Sequence, residues 1–226
     1  MKKSNGLLKA SVLVLCGSFA FVASSAWATL VPWDLNPFNL NQSLGATSHT
    51  FTSSGYSITA YGFDRVSGLD TGHTLYYKDS GGDHGLGLVG TPHNELQVNL
   101  DGSVPHYVQF DFSSILALGF TNGQIKISSI DPGEAFNLYG SNTLGSLGIL
   151  LNATPYGDST NNQFVNIPNF GSFQYISVAA AIEDVLPWAI RATIVPIPEA
   201  ASLVPAVCLV IVATAFEVRR RRRQTT

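Results

Sequence analysis

Short runs in which apolar and polar residues alternate recur along most of the chain. Tyr56-Ser57-Ile58-Thr59-Ala60, Leu96-Gln97-Val98-Asn99-Leu100, Val108-Gln109-Phe110-Asp111-Phe112 and Ile125-Lys126-Ile127 are the first group. Phe136-Asn137-Leu138, Phe164 to Ile167, Phe173-Gln174-Tyr175 and Ile190-Arg191-Ala192-Thr193-Ile194 follow. Alternation sends every second side chain to one face, as a strand with one buried side requires. Turn signals separate the runs: Asp101-Gly102, Asn122-Gly123, Asp131-Pro132-Gly133, Gly140-Ser141-Asn142 and Tyr156-Gly157-Asp158. Only Ser113 to Leu118 has the makings of a short helical turn. Roughly eight to ten strands at this spacing predict an all-β fold, an antiparallel two-sheet β-sandwich of jelly-roll type.

Both ends break the pattern. Lys2, Lys3 and Lys9 precede an apolar stretch from Ala10 to Val22, and Ala26-Trp27-Ala28 supplies small residues at a cleavage point. This is the layout of a signal peptide, residues 1–28, which signal peptidase would remove to leave Thr29 first. At the other end the mostly apolar run from Ala200 to Phe216 would span about 25 Å as a helix. Arg219, Arg220, Arg221, Arg222 and Arg223 follow it without interruption. Such a block stops transfer and stays on the cytoplasmic side, so a single C-terminal transmembrane helix is expected.

Setting these ends aside changes the charge. The whole chain has a formal net charge of −3. Residues 29–195 keep four basic residues, Arg65, Lys78, Lys126 and Arg191, against thirteen acidic ones, a net of −9. So acidic a body does not attract nucleic acid or anionic polysaccharide by charge. Cys16 and Cys208 both fall in the end segments, leaving the body without a thiol. Its stability must come from its core or from bound metal.

The densest polar cluster is Asp79-Ser80-Gly81-Gly82-Asp83-His84-Gly85, followed by His93-Asn94-Glu95. Oxygen donors on a glycine-rich path suit Ca²⁺, which takes about six to eight oxygen ligands in irregular loops. Asp79, Asp83, Asn94 and Glu95 are the candidate ligands, and a solvated hairpin loop is the alternative. His84 and His93 lack a third nearby histidine or any cysteine, which argues against zinc. No G-x-S-x-G elbow, phosphate loop or dinucleotide fingerprint is present. A non-enzymatic role is therefore expected. Trp33, Tyr61, Tyr76, Tyr77, Tyr107, Tyr139, Tyr156 and Trp188 could form a stacking face for sugar rings or serve the core.

The tail as a unit resembles the PEP-CTERM sorting signal of Gram-negative bacteria: a Pro-Glu-Pro motif, a helix and an arginine cluster. Pro198 and Glu199 match its first two positions, and Ala200 stands where the last proline usually is. The resemblance covers residues 196–223. It implies recognition by an exosortase in the inner membrane, transient anchoring there, and delivery to the cell surface or an extracellular polysaccharide matrix. Phe136-Asn137-Leu138-Tyr139-Gly140-Ser141-Asn142 is similar to a strand and turn of discoidin-type, galactose-binding-like sandwiches. Gly85-Leu86-Gly87 before Asn94-Glu95-Leu96 resembles the recurrent body of PEP-CTERM proteins. These short matches support a sandwich fold more than an activity. The two end segments around an acidic, thiol-free body without a catalytic motif point to a non-catalytic surface or matrix protein in adhesion or biofilm association; a carbohydrate-binding module with a specific glycan is the alternative, and a secreted hydrolase the remoter one.

Overall fold

A computed structural model describes residues 27–66, 69–98 and 106–195. Ala26 of the cleavage site, Pro198, Glu199, Ala200 and Arg219 to Arg223 lie outside them, as does the expected membrane span. Among the described residues no helix is long and apolar enough to cross a membrane. Ala28 is exposed and immediately precedes the first strand.

In chain order the strands are β1 (Thr29–Asp34), β2 (Gln42–Ser43), β3 (Ser48–Ser53), β4 (Tyr56–Val66), β5 (Leu69–His73), β6 (Leu75–Ser80), β7 (Asp83–Leu88) and β8 (Leu96–Gln97). Then come β9 (His106–Asp111), helix α1 (Ser113–Leu116), β10 (Phe120–Ser128), β11 (Ala135–Ser141), β12 (Ile149–Leu150), β13 (Tyr156–Gly157), β14 (Phe164–Asn166), β15 (Tyr175–Ile182) and β16 (Asp184–Ile194). They form three antiparallel sheets where two were expected. A five-stranded sheet has the order β1-β16-β10-β14, with β8 on the end of β16. An eight-stranded sheet runs β12-β11-β15-β9-β4-β3, with β13 beside β11 and β5 beside β4. The third, β2-β6-β7, is built on the glycine-turned hairpin.

Alternation explains which face each sheet buries. Val31 and Trp33 of β1, Ile125 and Ile127 of β10, and Ile190 and Ala192 of β16 join one apolar cluster. Ile58 and Ala60 of β4, Val108 and Phe110 of β9, and Ile176 and Val178 of β15 enter the same cluster from the eight-stranded sheet. Full burial of side chains of this size is worth roughly 1.5–3 kcal/mol each. The eight-stranded sheet is also covered on its other face. Gln109, fully buried, donates to the Ser146 carbonyl at 2.8 Å and accepts from the Gly145 N–H at 2.8 Å. It thereby ties down the loop that puts Leu147 against Phe63, Tyr107 and Ala179.

Two local expectations change. Asn122-Gly123 does not turn the chain; it lies inside β10, where the register against β16 shifts between Thr121 and Gln124. Asn122 has φ 53°, and a β-carbon at Gly123 would strike the Phe170 ring, so the pair makes a bulge under an aromatic lid. The strand expected from Phe173 begins at Tyr175, because Phe173 is used to pack on the core beside Gly140.

Candidate functional site

The acidic segment is a hairpin. Gly81 and Gly82 take φ 72° and 98°, a two-residue turn open to glycine. The register pairs Ser80 with Asp83, Asp79 with His84 and Lys78 with Gly85. Neighbouring residues of a strand face opposite ways, so Lys78 and Asp79 part company. Asp79 Oδ1 lies 3.2 Å from His84 Nδ1 on one side. Lys78 points to the other side, where its ammonium meets Asp83 at 3.0 Å and Glu95 Oε1.

The expected calcium ligands are therefore divided. Asp83 and Glu95 converge, but on Lys78. Asp79 is turned away to His84, and Asn94 Oδ1 accepts the Gly90 N–H at 2.9 Å. The four do not form one constellation. Burial alone would lower the pKa of Lys78; the hydrogen bonds its ammonium donates to Glu95 and Asp83 outweigh it and raise the pKa.

Beyond this pair opens a cavity of about 330 Å³ whose wall includes His93, Glu95, Asp131, Glu134 and Asp184. His93 Nδ1 is 3.0 Å from Asp184 Oδ2, and the Asp131 N–H donates to Glu134 Oε2 at 2.6 Å. Burial, with the neighbouring Asp184 and Asp131 charges, lifts Glu134 to about 7 despite that N–H. Neither Lys78 nor Glu134, Glu183 and Asp184 stood among the expected site residues. The adjacent acids Glu183-Asp184, set between apolar runs in a charge-poor chain, were the available signal.

A second site lies on the outer face of the five-stranded sheet. The registers align Asp34, Ala189, Lys126 and Phe164 in one row across β1, β16, β10 and β14. The next row on that face is Pro32, Arg191, Gln124 and Asn166. Arg191 Nε donates to Gln124 Oε1, and Gln124 Nε2 to Asn166 Oδ1, each at 2.6 Å. Between Lys126 and Ile127 the partner of β10 jumps from Ala189 to Pro187, leaving Trp188 as an extra residue. Proline in a central strand is tolerated at such a bulge, and a bulge redirects a side chain. Trp188 is thus brought to the outer face, with the Lys126 ammonium 3.1 Å from its ring centre.

This face forms part of an open groove of about 710 Å³. Edge strand β3 supplies the opposite wall through His49, Thr50 and Thr52. Phe38 stands at its margin, 69% exposed. Its loop is pinned by buried Asn36, which donates to the Leu40 and Lys78 carbonyls at 2.8 and 2.9 Å. Flat rings beside hydroxyl, amide, carboxylate and ammonium groups can stack on the apolar face of a sugar and bond its hydroxyls. Of the other candidate aromatics, Trp33, Tyr77 and Tyr107 are buried. Tyr76 is directed outward from its buried neighbour Tyr77 and bonds Asn41 Oδ1 at 3.2 Å.

No family model, curated protein or solved structure matches this chain.

Proposed function

We propose that the chain is an exported, non-catalytic β-sandwich of jelly-roll type that associates with extracellular polysaccharide through the outer face of its five-stranded sheet. In this reading signal peptidase cuts after Ala28, and an exosortase handles the tail at Pro198-Glu199-Ala200. The body then reaches the cell surface or matrix. The observation that carries the binding role is the Trp188 bulge, which places a large aromatic among polar groups on an open sheet face. The pairing of Thr29 with Ile194 supports the sorting role, because both ends of the body leave from one corner.

Affinity electrophoresis of the full chain in gels containing bacterial exopolysaccharides tests the binding reading. Wild-type protein is retarded, while Phe38→Ala and Trp188→Ala each reduce the retardation at least threefold. Equal mobility with and without every polysaccharide would defeat it. Deleting residues 196–226 tests sorting by itself: the body then leaves the surface fraction, and an unchanged location would count against the exosortase route.

A further inference from the structure

Residues 29–195 contain four lysines and arginines, and the structure divides them into two pairs. Arg65 meets Asp70, and Lys78 meets Asp83 and Glu95. Lys126 and Arg191 make no ion pair among the described residues, and both stand on the outer face of the five-stranded sheet. Lys126 lies opposite Ala189 and Arg191 opposite Gln124, so the two are diagonal neighbours with backbones about 7–8 Å apart. Arg191 borders the groove: it is paired with Pro32 and packed on Phe164, which both line it, as Lys126 does.

Each of these cations lies on a ring instead of a carboxylate. The Lys126 ammonium covers Trp188, and the Arg191 guanidinium carbon is 3.9 Å from the centre of the Phe164 ring. A ring face attracts a cation while leaving its N–H donors for other acceptors. Arg191 gives Nε to Gln124, and its two terminal nitrogens suit a planar acceptor with two oxygens. Acids are held away from this pair. Asp34 is the one carboxylate in the groove wall among the described residues. Its Oδ1 accepts the Asn36 N–H at 2.9 Å and faces His84 Nε2 at 3.5 Å. Burial lowers the pKa of Lys126, and Asp34 offsets this only in part. An anion at the ammonium would supply the counter-charge that the sheet face does not.

We infer that the groove selects acidic polysaccharide, with a uronate carboxylate held by Lys126 and Arg191 and the sugar ring lying against the exposed aromatic margin at Phe38. The inference rests on the polysaccharide reading above and narrows it to a class of sugar. The net charge of −9 repels a polyanion at a distance, so recognition depends on contact at this face and not on steering.

Retention of the full chain, in non-ionic detergent, on three agarose-coupled polymers provides the test: polygalacturonate, the same polymer with its carboxyls reduced to alcohols, and polyglutamate. Wild-type protein binds polygalacturonate at least tenfold more tightly than either of the others. Lys126→Gln and Arg191→Gln, both at half-buried positions on an outer face, each reduce that preference at least threefold, and Lys126→Arg keeps it. Equal binding to the reduced polymer overturns the carboxylate assignment and leaves polysaccharide association standing. Equal binding to polyglutamate overturns it as mere ion exchange, and an unchanged preference in both glutamine variants overturns the residues named. Failure to bind polygalacturonate also overturns it; only failure with every polysaccharide, neutral and acidic, defeats the association as well.

Discussion

Near β4, β5 and β9, Asp64 lies between two imidazoles, with Oδ2 2.6 Å from His73 Nδ1 and Oδ1 3.4 Å from His106 Nε2. His73 Nε2 is 2.6 Å from the Val89 carbonyl, so both its nitrogens face oxygen atoms. Arg65 Nε meets Asp70 at 3.1 Å beside the buried Tyr107 ring. Among the described residues, each of the two carboxylates here meets a basic side chain. Around Lys78 one ammonium serves a surplus of carboxylates, and a buried oxygen has no partner. Both regions hold charge out of water; the first gives each carboxylate a basic neighbour, yet Asp64 Oδ1, Arg65 Nε, Asp70 Oδ1, His106 Nδ1 and the Tyr107 hydroxyl are buried there without a hydrogen-bond partner.

The sharpest way to break this contrast is Lys78→Met. It strands Asp83 and Glu95 without a cation and costs about 3–5 kcal/mol in denaturant unfolding. Adding Glu95→Gln to it restores more than half of that loss, since the buried charge then disappears with its partner. In the balanced region Asp64→Asn costs less, about 1–3 kcal/mol by the same measurement, because the amide still accepts from one imidazole. A loss at Asp64 equal to that at Lys78 would erase the distinction.

The gentlest effects are pH slopes, and their signs oppose each other. Burial lifts Glu134 from its ordinary value of 4.5 to about 7. Its contribution to stability is whole below about 4.5 and is lost as pH rises through about 7. Burial lowers His106 below its ordinary 6.5, so its contribution is present above 6.5 and is lost as pH falls through the lowered value. Melting curves across this range, taken as differences between wild type and Glu134→Gln or His106→Asn without calcium, should slope in opposite directions. Parallel slopes would mean that the two clusters titrate as one.

The strands that bury one face were legible before any coordinates: Val108, Phe110 and Phe112, or Ile125 and Ile127, mark core positions by period alone. Asn122-Gly123 was not, because a left-handed pair serves a hairpin turn and a bulge equally well, and only the partner strand decides. Trp188 stood among the candidate aromatics, but its outward placement was hidden for the same reason; its extra place in β16 exists only relative to β10. The hairpin at Gly81-Gly82 was foreseeable, but burial of Lys78 was not, since a lone lysine carries no sign of the glutamate that will meet it. Glu134 and Asp184 are far apart in the chain, and the pairing of Ala135 with Ile182 across β11 and β15 brings them together.

The place of β16 has a consequence for how the molecule is made. It is the last strand of the body, yet it lies between β1 and β10 instead of at a margin. A chain emerging N-terminus first holds two open seams until Ile194 is delivered, and only then can the sheet close. Long-range pairing of this kind is slow. Closure therefore reports that everything ahead of the tail has arrived, and truncation within the final strand leaves a sheet with its middle missing.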